Sequence, residues 1–134
     1  MKTDVEYGRC VEARGATFDE VVERVKSLLK DEGFGVLCEI DVTTTLREKI
    51  GADFRPYRIL GACNPQLAQQ AIEAEAQLGL LLPCNLVVQV VDGRTLVSAI
   101  DAGAMMRFVD NPALEPVAID ANARLDRVLS RIAA

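Results

Sequence analysis

Residues 54–85, FRPYRILGACNPQLAQQAIEAEAQLGLLLPCN, decide the fold, because they predict a strand, a helix and a second strand in succession. Residues 55–63 alternate loosely between polar and apolar side chains, which is typical of a strand. Asn64 and Pro65 favour a helix start, since an asparagine side chain accepts from free backbone N–H groups and proline suits the first helical position. Residues 86–91 then predict the next strand.

Two cysteines in this stretch, Cys63 and Cys84, are each followed directly by an asparagine, Asn64 and Asn85. Cys63 is predicted to lie just before the helix N-cap, where unpaired N–H groups and the positive end of the helix favour a thiolate. Cys84 is predicted to start a strand that pairs near the first one, so the two thiols are expected to approach each other. The alternative is that both are packing residues, because free cysteine is among the most buried residue types.

The rest of the chain alternates between strand and helix patterns. Thr17 and Glu20 have the spacing of a capping box, which predicts a helix from there to Gly33. Asp92 and Gly93 predict a two-residue hairpin. The other predicted elements are strands at residues 5–13, 34–42 and 94–100, a short helical turn at 46–50, an irregular segment at 101–116 and a last helix that starts near Ile119.

The order β-α-β-β-(α)-β-β-α predicts one α+β domain over residues 1–134, with a five-stranded antiparallel sheet and helices packed on one face. The other face of the sheet would then stay uncovered, and a two-fold homodimer is the commonest way to cover such a face. Strict alternation along residues 34–42 predicts that Cys38 lies in the core and that Glu39 lies on the uncovered face. Glu39 is then either solvated or a ligand contact.

Composition and charge argue against several classes of protein. A net charge of −5 and a pI of about 4.8 argue against nucleic-acid binding, since phosphates need a basic surface. The chain has no histidine, which excludes zinc sites of the Cys/His type and removes the commonest general base. It also lacks a phosphate loop, a dinucleotide fingerprint and a nucleophile elbow, so no cofactor is expected.

The four cysteines show no C-x-x-C spacing, and no apolar run reaches the length of a membrane span or of a signal-peptide core. We therefore expect a cytoplasmic protein with four free thiols and no association with membranes.

Several motifs together resemble the signature of an uncharacterised family. They are Phe54-Arg55-Pro56-Tyr57, Gly61-Ala62-Cys63-Asn64-Pro65, Gly79-Leu80-Leu81-Leu82-Pro83-Cys84-Asn85 and, upstream, Cys38-Glu39-Ile40-Asp41 with Thr45-Leu46 and Lys49. The chain resembles, over nearly its whole length, domain-of-unknown-function family 302. This resemblance implies a fold similar to one repeat of the TATA-box-binding protein, usually assembled as a dimer. It implies no activity.

These observations leave two functional hypotheses open, beside a purely structural role. The first is a cytosolic homodimeric domain that binds a small ligand in a pocket lined by Glu39, Tyr57, Cys63, Asn64, Cys84 and Asn85. The second is thiol redox chemistry or sulfur transfer, with Cys63 as the nucleophile and Cys84 as its resolving partner. Two thiolates and one carboxylate without histidine are a weak pattern for a soft metal ion, so no metal site is predicted.

Overall fold

The computed structural model describes residues 1–133, and its centre is a single antiparallel sheet of five strands. The strands are β1 (Gly8–Ala13), β2 (Gly35–Asp41), β3 (Tyr57–Cys63), β4 (Cys84–Val91) and β5 (Arg94–Ile100). Their order across the sheet is β1-β5-β4-β3-β2, so β4 is central and β1 and β2 are the edges. The predicted α+β class with five antiparallel strands is thereby confirmed.

Five α-helices accompany the sheet within the described residues. They are α1 (Phe18–Asp31), α2 (Val42–Ile50), α3 (Pro65–Ala74), α4 (Ala102–Val109) and α5 (Glu115–Ala133), with short 3-10 helices at Ala76–Leu81 and Pro112–Leu114. The predicted capping box opens α1, since the N–H of Glu20 donates to Thr17 Oγ1 and the N–H of Thr17 donates to Glu20 Oε1. None of the helices in residues 1–133 is both long enough and apolar enough to cross a membrane.

The helices α1 and α5 cover one face of the sheet, which we call the helix face. Cross-strand pairing places Leu60, Leu86 and Ala99 in one row of this face, and all three are almost completely buried. They form one cluster with the apolar stripes of the two helices, which comprise Val21, Val22, Val25, Leu28, Leu29, Leu125, Val128, Leu129 and Ile132. This cluster is the main hydrophobic core.

The segment that the sequence predicts to be irregular, residues 101–116, contains the helix α4. Asp101 starts this helix, because its Oδ1 accepts from the N–H groups of Gly103 at 2.8 Å and Ala104 at 3.3 Å. Asn122 of α5 holds Asp101 in place, donating from Nδ2 to Oδ1 over 2.9 Å. The cap itself is local, but it is supported by a residue 21 positions away, a contact that local sequence patterns do not reveal.

Three other boundaries differ from the predicted ones. β1 begins at Gly8 rather than Val5, α2 begins at Val42 rather than Leu46, and α5 begins at Glu115 rather than near Ile119. The early start of α2 follows from Asp41, whose side chain accepts from the N–H of Thr44 and caps the helix. Pro116 does not delay α5, since proline is tolerated in the first helical turn.

A β-bulge at Leu37 reverses the faces of the strand that follows it. Val36 pairs with Ala62, but Cys38 pairs with the next residue, Gly61, so Leu37 is an extra residue in β2. A shift of one residue moves every later side chain to the opposite face. The prediction that Cys38 lies in the core is therefore wrong, and Cys38 is exposed.

The same bulge moves Glu39 to the helix face, so the prediction that Glu39 lies on the uncovered face is also wrong. Glu39 pairs with the buried Leu60, and its Oε2 accepts from Lys26 of α1 at 2.7 Å.

The face opposite α1 and α5, which we call the open face, carries an uncharged row of side chains across all five strands. Cross-strand pairing runs this row through Cys10, Ser98, Val87, Ile59 and Ile40. All five are partly or largely accessible, and Ile40 is 44 % exposed.

Candidate functional site

An apolar cavity of about 320 Å³ lies where β3 ends and β4 begins. Its walls come from α3, the 3-10 helix Ala76–Leu81, α4 and the first half of α5, and its volume is in the range of small-molecule sites. The polar or polarisable groups among its lining residues are Cys63, Asn64, Cys84, Met105 and Met106.

The cavity exists because small residues face each other where helices usually pack with larger ones. Six alanines line it, at positions 62, 68, 71, 102, 118 and 121. Two small apolar clusters flank it, one around Leu67 and one around Leu78 and Leu114. The space is therefore supported from two sides by packed residues.

Asn64 is the one polar residue classed as buried among residues 1–133, with 7 % of its surface exposed. It is the predicted N-cap of α3, and its Oδ1 accepts from the N–H of Leu67 at 3.2 Å. The other half of the carboxamide, Nδ2, has no hydrogen-bond acceptor within the described part of the chain. It lies against Gly33, where a Cβ atom would be only 3.0 Å from Nδ2.

Both predicted thiols, Cys63 and Cys84, line this cavity. Cys84 pairs with Ala62, the neighbour of Cys63 in the chain, so the two cysteines lie at the same end of the sheet. Burial raises the pKa of the Cys84 thiol, and the nearby Cys63 raises it further. Cys84 is consequently a neutral thiol at neutral pH, which disfavours it as a nucleophile.

Glu39 does not line the cavity and belongs instead to an ion-pair cluster over the edge of the helix face. Its carboxylate accepts from Lys26 Nζ at 2.7 Å and from Arg58 Nη1 at 2.8 Å. The hydrogen bond from Lys26, followed by that from Arg58, lowers the pKa of Glu39 below its usual value, although burial acts in the opposite direction. Both cations also contact other carboxylates, Lys26 that of Glu23 and Arg58 that of Asp41, but Arg58 Nε is buried without a hydrogen-bond partner among residues 1–133.

Tyr57 and Asn85 also lie outside the cavity. The Tyr57 ring stands beside the guanidinium of Arg55, which is 5.5 Å from its centroid and 4.6 Å from that of Phe54. Arg55 also donates from Nε to Gln89 at 3.0 Å. Asn85 is exposed at the start of β4. Of the six predicted pocket residues, the structure therefore brings together Cys63, Asn64 and Cys84.

The sequence prediction omits the walls that α4 and α5 contribute. Asn122 anchors them to each other, because its Oδ1 accepts from the N–H of Ala102 at 2.9 Å while its Nδ2 binds Asp101. Arg9 of β1 also donates to Asn122, at 3.3 Å, and pairs with Asp126 at 2.6 Å. This network fixes α4 over the cavity. The sequence does not reveal the cavity wall, because alanines at helical spacing on α5 indicate only close packing between helices.

Comparison with known proteins relates the whole of this site to one family. Residues 10–132 match the family model described as "Domain of unknown function DUF302". The chain is also similar to an uncharacterized conserved protein DUF302 from Bacillus stearothermophilus, known from a crystal structure. The identity is 36%, the TM-score is 0.88, and the similarity covers 96% of this chain and 99% of that chain. No curated protein matches the chain.

Proposed function

This chain belongs to the DUF302 family, and we propose that it is a homodimeric domain that binds a small apolar ligand in the cavity beside Cys63 and Cys84. The observation that carries this proposal is the cavity itself, which combines an almost wholly apolar lining with one buried amide, that of Asn64. Ligand pockets typically have this composition, with apolar walls for affinity and a few polar groups for orientation.

The lining determines what such a ligand gains on binding. Burial of apolar surface contributes about 25 cal/mol per Å², so an aliphatic or aromatic molecule is favoured. The exposed side chains Leu37 and Ile72 also belong to the lining and extend the apolar surface outward. Charged residues are absent from the lining within the described chain, so a charged ligand would lose its hydration without a compensating ion pair.

Ala68→Phe is expected to weaken ligand binding at least tenfold, because its ring would occupy part of the cavity that the half-buried Ala68 lines from α3. The measurement is a fluorescence titration with the neutral apolar dye N-phenylnaphthylamine. Ala74→Phe is the matched control, since it places the same ring at an exposed position of the same helix, outside the cavity lining. Equal dye affinity in both variants would contradict the proposal, provided that both unfold cooperatively.

The proposed partner in the homodimer is a second copy of the chain, seated on the open face. The net charge of −5 makes two copies repel each other in general. The central row of the open face contains only uncharged side chains, so two copies can meet there without bringing like charges together. A two-fold axis through this row would place the same apolar surface on both sides of the interface.

Thiol chemistry remains the alternative function, because Cys63 and Cys84 line the same cavity and Cys63 directly precedes the N-cap of α3. The raised pKa of Cys84 opposes it. Partial labelling with iodoacetamide, followed by mass spectrometry, distinguishes the two functions. A thiol-transfer site requires Cys63 to be labelled before the exposed Cys38, whereas a binding cavity leaves Cys38 the faster.

A further inference from the structure

We propose that the ligand is an uncharged aromatic compound whose rings contact the sulfur atoms that line the cavity. This inference rests on the proposed function, which admits aliphatic and aromatic ligands alike, and it names the chemical class. It follows from the concentration of sulfur in the lining, from the different roles of the two methionines and from the scarcity of aromatic side chains in the walls.

Sulfur is concentrated around this cavity. The chain has four cysteines and three methionines, and four of these seven side chains line the cavity. Cys63 and Cys84 contribute from the end of the sheet, and Met105 and Met106 contribute from α4. A sulfur atom about 5 Å from an aromatic ring makes a favourable contact that a saturated chain does not offer. Two separate elements of the fold therefore present sulfur to the ligand.

The two methionines have different roles. Met106 packs against both of the small apolar clusters that flank the cavity, so much of its side chain already serves the fold. Met105 is half-buried and lines the cavity, but within residues 1–133 it belongs to neither cluster. Because a methionine side chain is unbranched and flexible, the thioether of Met105 can adjust to a ring that enters the cavity.

The state of Cys84 also suits an aromatic ring. Burial, followed by the nearby Cys63, raises the pKa of the Cys84 thiol, which is therefore uncharged at neutral pH. The face of an aromatic ring carries partial negative charge and would repel a thiolate, whereas a neutral thiol meets no such repulsion. Phe34 is the one aromatic side chain of the lining within residues 1–133, so ring stacking contributes little. Sulfur is thus the main feature that distinguishes an aromatic from an aliphatic ligand.

The volume sets the size of the test compounds. A water molecule occupies about 30 Å³ of liquid, so a cavity of about 320 Å³ holds roughly ten groups of that size. Naphthalene has this number of carbon atoms in two aromatic rings, and decalin has the same number in two saturated rings. Decalin has the larger apolar surface, so burial alone favours decalin. A preference for naphthalene therefore reports contacts that are specific to the aromatic ring.

The test is competition of naphthalene and decalin against N-phenylnaphthylamine. The ratio of the two inhibition constants on the same protein does not depend on the affinity of the dye itself. On the wild type, naphthalene is expected to bind about tenfold more tightly than decalin, since each contact between sulfur and a ring contributes about twofold to tenfold.

Two variants change the amount of sulfur in the lining. The first combines Met105→Leu with Met106→Leu, which removes two sulfur atoms at nearly constant side-chain volume. Its preference for naphthalene should fall at least threefold. The second is Leu82→Met, which adds a thioether at a half-buried position of the lining. Its preference for naphthalene should rise at least twofold.

The possible outcomes separate this inference from the proposed function. If the dye binds the wild type and Ala68→Phe blocks it, the cavity is a binding site whichever competitor is preferred. The aromatic inference is then overturned by any of three results: decalin that binds the wild type as tightly as naphthalene, a double leucine variant that keeps the full preference, or a Leu82→Met variant that does not increase it. The first and third results decide the question even where the double variant folds poorly. If the dye does not bind the wild type, the proposed function fails and the inference fails with it.

Discussion

Ile59→Asp is expected to convert the proposed homodimer into a monomer. Ile59 lies in the middle of the open face, paired with Val87 of β4 on one side and with Ile40 of β2 on the other. In a two-fold dimer a carboxylate at this position would be buried against the same surface of its partner. An unpaired buried charge costs about 3–5 kcal/mol, which corresponds to at least a 100-fold increase in the dissociation constant.

Sedimentation velocity at micromolar concentrations measures this change directly. Ile119→Asp is the control, because Ile119 is 62 % exposed on α5 and does not belong to the open face. The wild type and Ile119→Asp should sediment as dimers and Ile59→Asp as a monomer. A wild type that is monomeric at every accessible concentration would rule out the homodimer, and an Ile59→Asp dimer would rule out this interface.

The parts of the fold that the sequence predicts correctly depend on local interactions. The capping box of Thr17 and Glu20 joins residues three apart, and Asn64 caps α3 through the N–H of Leu67, also three residues on. The hairpin turn between β4 and β5 lies at Asp92 and Gly93, and both have positive φ angles. Such signals act within one turn of chain, so residue type and spacing alone identify them.

The candidate site was predicted only in part, because the cavity depends on contacts between distant segments. Cys63, Asn64 and Cys84 are brought together by the pairing of β3 with β4, which the flanking strand patterns predict. The far wall depends on α4, whose start is fixed by Asp101 and by Asn122 of α5. The cap by Asp101 is local, but the contact that holds Asp101 against α5 joins distant residues and has no local signature in the sequence.

The wrong assignment of Cys38 and Glu39 has a different cause, the bulge at Leu37. Alternation along β2 correctly separates these two neighbours onto opposite faces, but one extra residue exchanges the faces. The position of a bulge depends on the side chains that the neighbouring strand presents to it. Here that strand presents Gly61, whose missing side chain leaves room for the Cys38 thiol on the open face.

Gly61→Ala is accordingly expected to lower the free energy of unfolding by about 1–3 kcal/mol, the usual cost of forcing an extra methyl group into a packed site. A Cβ on Gly61 would lie 2.5 Å from Cys38 Sγ and 2.8 Å from Cγ of Pro83. The thiol can rotate away, but the proline ring is rigid, so the strand or the ring must shift. Urea denaturation measures the loss.

Gly35→Ala is the matched control for this substitution. Gly35 also lies in a strand of the same sheet, paired with Cys63, but a Cβ there meets no atom within 4 Å. The change in the free energy of unfolding should stay within about 0.5 kcal/mol, because alanine lowers the conformational entropy of the unfolded chain and this gain offsets small losses in the folded state. Combining Gly61→Ala with Cys38→Ala should recover only part of the loss, since the contact with Pro83 remains. If the Gly61→Ala and Gly35→Ala variants are equally stable, β2 and β3 do not approach each other closely at Gly61. The reversed faces of β2, which depend on that close approach, would then be contradicted.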